Sequence, residues 1–210
     1  MKMHDEEGPE RTSAFATRSL SNYILLAAPV IAGVASVGPE MLSSLASDRY
    51  AAAAGVFPWV IAGMVVDGAA SIVGAGLFIH RKTPQIMLAV VVAAVINLLC
   101  NFVLVRQFGM VGAAASTLIG YAVVYVAFAW GARRYLPVPV PWATLLRAGF
   151  AAGVMYVALS FILPGHRFIT VGVRGLAGLI IYCAVIAAID ANGCMFVKRG
   201  LQRVRAKLGR

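Results

Sequence analysis

Charge is scarce in this sequence. Asp, Glu, Lys and Arg together make up 12% of its 210 residues, about half the share carried by a soluble domain. Acidic residues are the scarcer sign, 8 against 18 Lys and Arg. Cysteine is nearly missing too. Cys100, Cys183 and Cys194 form no C-x-x-C pair and no metal-ligand spacing, which excludes a disulfide framework and a cysteine metal site. The first twenty residues hold no apolar core, which excludes a cleaved signal peptide. Catalytic patterns are missing as well. His4, His80 and His166 lie far apart, and no H-E-x-x-H, phosphate-cradling G-x-x-x-x-G-K or G-x-S-x-G occurs. The sequence therefore implies no enzyme, no cofactor and no metal.

What is present is apolar surface. Hydrophobic residues reach 61% and the mean hydropathy is +0.86. A water-soluble core of this length cannot bury so much, so the lipid bilayer is the expected solvent. The net charge of +10 does not signal nucleic acid. The basic residues stand in short clusters between apolar runs, the pattern of membrane anchoring.

An apolar run of about 20 residues crosses a bilayer as a helix. Six such runs predict spans over about 21–46, 52–79, 85–105, 111–131, 143–163 and 169–189. A polar cytoplasmic tail over 1–20 precedes this bundle of 21–190, and a basic tail over 191–210 follows it. His80-Arg81-Lys82-Thr83-Pro84, Arg106-Gln107-Phe108-Gly109, the stretch 133–141 with Pro137, Pro139 and Pro141, and Pro164-Gly165-His166-Arg167 supply the breaks. Short links predict helices that are antiparallel neighbours in chain order. With the N-terminus inside, only Arg49, Arg106, Arg167 and Arg174 fall on the outer side, and every other Lys and Arg falls on the inner one. That bias predicts a multi-pass protein of the inner membrane with both termini cytoplasmic. The tail from Lys198 to Arg210 then reads as an anchor on anionic lipid.

Polar groups inside the spans are the candidate site. Asp67 is the most deeply placed charge, in V-V-D-G-A-A-S of the second span. A charge there costs several kcal/mol unless paired or hydrated. Asp67 is thus expected in the bundle interior, either lining a cavity or holding two helices together. Glu40 follows Pro39 toward the outer end of the first span. Asp48 and Arg49 suit a solvated pair, and Asp190 a helix end. Asn97 and Asn101, four residues apart, share one helix face and should meet other helices. Pro29, Pro39 and Pro58 each remove a backbone hydrogen bond and can kink a span.

One string is more specific than composition. I-N-L-L-C-N-F-V-L-V-R-Q-F-G-M-V-G-A-A-A-S-T-L-I-G-Y runs from Ile96 to Tyr121. Asn97, Asn101, Gly109, Gly112, Ala113, Ala114 and Ser116 resemble the signature of polysaccharide and lipid-linked oligosaccharide flippases. These belong to the MOP (multidrug/oligosaccharidyl-lipid/polysaccharide) exporter superfamily, which also holds the MATE drug exporters. Pro29, Arg49-Tyr50 and the small-residue second span are similar to the family as well, so the resemblance covers about 22–134. The glycines have a direct reading: Gly109 serves a tight link, and Gly112 lets the next helix pack closely. The resemblance implies an all-α integral membrane fold like the C-terminal part of a two-lobed flippase. It implies export of a lipid-linked oligosaccharide or polysaccharide precursor, with a MATE-like drug exporter or a non-transporting scaffold of an exopolysaccharide complex as alternatives. Asp67, Asn97, Asn101 and Glu40 would then be cavity residues. Members have twelve to fourteen spans and one signature per lobe. Six spans with one signature imply a portion or half that needs a second lobe or a second copy of itself.

Overall fold

The computed structural model describes residues 2–45, 55–161 and 168–189, and every regular element among them is helical. They form α1 (Lys2–Leu45), α2 (Phe57–Val73), α3 (Ala75–Ile79), α4 (Thr83–Ala132), α5 (Trp142–Phe161) and α6 (Phe168–Ile189). Asp48–Arg49, the link at Pro164–Arg167, Asp190 and the predicted basic tail lie outside the described residues.

α4 is two spans in one element. Its 50 residues, if straight, would reach about 75 Å, more than twice the hydrocarbon core of about 30 Å. Gly109 breaks it with φ 57 and ψ −130, a region open to glycine and little else. The arms then run antiparallel: Gly112 abuts the Leu104 backbone, Gly120 faces Asn97 and Gly131 approaches Gln85. These arms are the predicted third and fourth spans, and the link predicted at Arg106–Gly109 is the turn.

α2 and α3 together make the second span. Gly74 separates them because Phe128 occupies its side-chain space; a Cβ there would come within 2.6 Å of the ring. α3 ends on a Schellman stop. The Lys82 N–H donates to the Leu77 carbonyl at 2.9 Å and the Arg81 N–H to Phe78 at 3.2 Å. Arg81 takes the left-handed position, φ 52, where glycine usually stands.

Helix order in space departs from chain order. α1 is central. α2 packs on one side of it and carries α4 on its own far flank, and α5 and α6 pack on the other side; neither α1 nor α5 makes substantial contact with α4. Each side has its own core. One gathers Leu20, Ala70, Val73, Leu77, Phe128 and Ala132, the other Ala32, Ala151, Met155, Leu159, Tyr182 and Ile186. The expectation of neighbours throughout fails at 133–141. Prolines keep this link out of helix, Leu136 is buried in it, and the Ser13 hydroxyl donates to the Pro137 carbonyl. Residues 133–135 turn, the Tyr135 and Leu136 N–H groups donating to the Ala132 carbonyl, and the run 136–141 beyond them can reach about 20 Å, whereas packed helix axes stand about 8–10 Å apart. The chain therefore passes the start of α1 and begins α5 on its far side.

The polar stretch over 1–20 is helical from Lys2 onward. α1 runs through it, turned at Gly8 (φ 81), and buries Thr12, Ala16 and Leu20 at four-residue intervals. Thr12 and Thr17 donate their hydroxyls to the carbonyls of Gly8 and Ser13, both at 2.9 Å. Back-bonding of this kind hides hydroxyls within the helix, so a polar composition concealed a packing face.

Pro29 lacks the N–H that would bind the Leu25 carbonyl. Tyr182 of α6 supplies the missing donor, its hydroxyl standing 2.8 Å from that oxygen. Tyr182→Phe keeps the ring and leaves the carbonyl unmet, so it should lower stability by about 1–2 kcal/mol. In a Pro29→Ala background residue 29 regains its N–H, and the cost of Tyr182→Phe should fall to near zero. A thermal-denaturation double-mutant cycle checks this; equal costs in both backgrounds would refute the pairing.

Candidate transport face

α2 is pressed from both flanks by aromatic side chains that only small residues can admit. Gly63 lies under Tyr121 of α4, a Cβ there falling 3.2 Å from the ring. Gly68 lies under Tyr23 of α1, whose hydroxyl occupies the space a side chain would need and donates to the Val65 carbonyl at 3.1 Å. Ala70 and Val73 complete the inward surface, each 1% exposed.

The remaining face of α2 is open. Val60, Met64, Asp67 and Ser71 recur every three or four residues, form one stripe and are all exposed. Asp67 is therefore not in the interior of this bundle, contrary to the expectation from sequence. The inward positions are filled by glycine and alanine against rings, with no volume left for a carboxylate. The Ser71 hydroxyl donates to the Asp67 backbone carbonyl at 3.4 Å, which leaves the acid itself facing outward.

Asn97 and Asn101 lie elsewhere, in the seam of the α4 hairpin. The Asn101 amide Nδ2 donates to Asn97 Oδ1 at 3.1 Å. Asn97 also packs on Gly120 of the opposite arm, 3.2 Å from the place of its Cβ. Beside them is a cavity of about 250 Å³ lined by Ala93, Asn97, Thr117 and Tyr121 among others. The structure brings the two amides together and keeps them apart from Asp67. Tyr121 stands between, lining the amide cavity with one part of its ring surface and covering Gly63 with another. Glu40 falls within α1, and its side chain lies outside the described residues.

Arg174 was missed as a site residue. On sequence it counts as an outer flanking cation. In the structure it is buried, 4% exposed, and its Nη2 donates to the Leu159 carbonyl at 2.8 Å. Leu159 is in the last turn of α5, where carbonyls have no partner within the helix and a cation is favoured. The available signal was its position, several residues inside the predicted sixth span. Among the described residues no three His, Cys, Asp or Glu side chains gather to hold a metal ion.

Neither a protein-family model nor a curated protein matches the sequence. A solved structure matches the fold: a lipid II flippase, MurJ, in an inward closed conformation, with a TM-score of 0.74. The match covers 90% of this chain and 40% of the flippase, at 11% sequence identity. The chain thus spans less than half the length of that protein, and its six spanning segments share the flippase's all-α membrane fold.

Proposed function

We propose that this chain forms one wall of a transport cavity that moves a lipid-linked oligosaccharide or polysaccharide precursor across the inner membrane, with both its termini in the cytoplasm. The observation that carries the reading is the open stripe on α2. A flippase-like bundle that leaves a mid-span carboxylate and a hydroxyl uncovered needs water or a second wall over them, because acyl chains would leave the charge unhydrated.

The chemistry divides the roles. A diphosphate-linked substrate is anionic and is repelled by Asp67, so Asp67 suits a coupling cation, a proton or a sodium ion. The same feature favours the second reading, a MATE-like exporter, in which Asp67 meets a cationic cargo directly. Asn97 and Asn101 hold the hairpin that supports Tyr121 behind the stripe.

Thiol labelling tests the water-lined stripe. With Cys100, Cys183 and Cys194 replaced by serine, Asp67→Cys in whole cells should react with a water-soluble maleimide. Leu98→Cys, on the outer surface of α4 and 70% exposed, should not, since a thiol in hydrocarbon does not ionise. Equal rates at the two positions would overturn the reading. Asp67→Asn should in addition reduce transport about tenfold or more while leaving membrane levels unchanged; unaltered transport would remove Asp67 from the coupling step.

A further inference from the structure

The end of the bundle opposite Gly109 is basic, aromatic and creviced. Gly112 draws the α4 arms into contact at one end, and toward the other end a gap opens along their exposed flank over the small side chains of Ala89 and Gly131. The gap has a volume of about 500 Å³. Buried Ala89 lies at its floor, exposed Leu88 and Val92 line one flank, and Ala127, Trp130 and Arg134 line the other. Two further cations flank the crevice over rings, Lys82 at the turn before α4 and Arg133 in the neighbouring groove that shares Trp130. Arg133 lies 5.4 Å from the Trp130 ring centre and Lys82 lies 5.2 Å from that of Tyr135. The His80 ring centre lies 5.0 Å from that of Tyr135. No acidic residue occurs in the sequence between Asp67 and Asp190, so neither arm of α4 nor its flanking turns supplies a carboxylate to these cations.

Arg81 adds a second observation. A Schellman stop places glycine at the left-handed position at no steric cost, and an arginine there costs about 1 kcal/mol. The chain holds a fourth cation at this end against a local conformational preference.

We propose that the crevice between the α4 arms is a binding site for one anionic phospholipid, its phosphate on Arg134 with Lys82 and Arg133 nearby and an acyl chain along Leu88 and Val92. Charge and shape both select this occupant. A zwitterionic lipid would fill the crevice without using the cations, and a free phosphate would use the cations without filling the crevice. Basic pockets between transmembrane helices take anionic headgroups for this reason. The site is separate from the α2 stripe and does not depend on what that stripe transports.

The test uses the full chain in nanodiscs of phosphatidylcholine alone or mixed with phosphatidylglycerol, read by thermal denaturation and by native mass spectrometry of retained lipid. Phosphatidylglycerol should raise the melting temperature and remain bound. Arg134→Gln should weaken its retention about fivefold, the loss expected for one cation near a headgroup. Val92→Trp fills the crevice without changing charge and should weaken retention at least as much. Arg106→Gln, at the other end of the hairpin over Phe102, should leave it unchanged. Arg81→Gly should separate strain from charge, raising the melting temperature in phosphatidylcholine while reducing the gain from phosphatidylglycerol. Equal retention by wild type, Arg134→Gln and Val92→Trp would overturn the site in favour of diffuse surface attraction. Inorganic phosphate reproducing the whole thermal shift in phosphatidylcholine would also overturn it, since no lipid would then be needed.

Discussion

Gly112→Leu is expected to abolish the folded protein, and Gly112→Ala to destabilise it by about 3 kcal/mol or more. The space a Cβ would take at Gly112 is held by the Leu104 carbonyl, with the Val105 nitrogen 2.9 Å away. These are backbone atoms and cannot rotate aside. Inserting one carbon into a closed core costs about 1–3 kcal/mol even where side chains can yield. Widening the hairpin instead would strain Gly109 and separate Gly120 from Asn97. It would also disturb Ser116, which is fully buried and donates its hydroxyl to the Gly112 carbonyl at 2.8 Å. Gly149 of α5 is the control. A Cβ there meets nothing within 4 Å, so Gly149→Ala should gain about 0.8–1 kcal/mol of helix propensity. Thermal denaturation and size-exclusion profiles in detergent measure both. A Gly112→Ala protein that melts with the wild type would show that the hairpin is not closed at this point.

Purified alone and reconstituted in liposomes, these 210 residues should flip a fluorescent lipid-linked sugar no faster than empty liposomes do. Alternating access works by one repeat moving against another around a site at their interface. Here the described helices leave the polar stripe of α2 exposed, so the bundle supplies one wall and does not enclose Asp67. Flipping should appear when a second lobe is reconstituted with it. Transport by the isolated chain above the empty-liposome rate would mean that copies of this chain supply both walls, and crosslinking between Asp67→Cys protomers would then identify the shared face.

Spans and turns were legible in the sequence because they depend on local chemistry. The length of an apolar run, the glycine of a tight link and the prolines of a connector all act on their own neighbourhood. The Gly109 turn and the close approach at Gly112 followed from residue type and spacing alone. Side of burial was not legible for Asp67. Its neighbours Gly63 and Ala70 share its part of the helical wheel, and only the rings of Tyr121 and Tyr23 decide which positions are covered. Those rings come from α4 and α1, so the answer is tertiary. Arg174 was misjudged for a similar reason. Nothing near it in sequence shows that the carbonyl of Leu159 waits fifteen residues earlier. The path of the 133–141 link was hidden too, since a short connector implies adjacency only if its backbone is compact throughout, and residues 136–141 of this one take neither helix nor turn.

The bond between Tyr182 and Leu25 joins residues 157 positions apart, and that separation is also a delay in time. At about 5–20 residues per second, synthesis brings Tyr182 into being roughly 8–30 s after Leu25. Throughout that interval α1 lies in the membrane with its Pro29 break unanswered, while α2 and α4 can already close the first core around Leu20. The core shared by the start of α1, α2 and α4 forms early, and the part of α1 around Pro29 completes its packing last. α1 is therefore the segment that the insertion machinery must shelter until α6 arrives, and a ribosome stalled before Tyr182 leaves a protein with one finished core and one exposed carbonyl for membrane quality control to find.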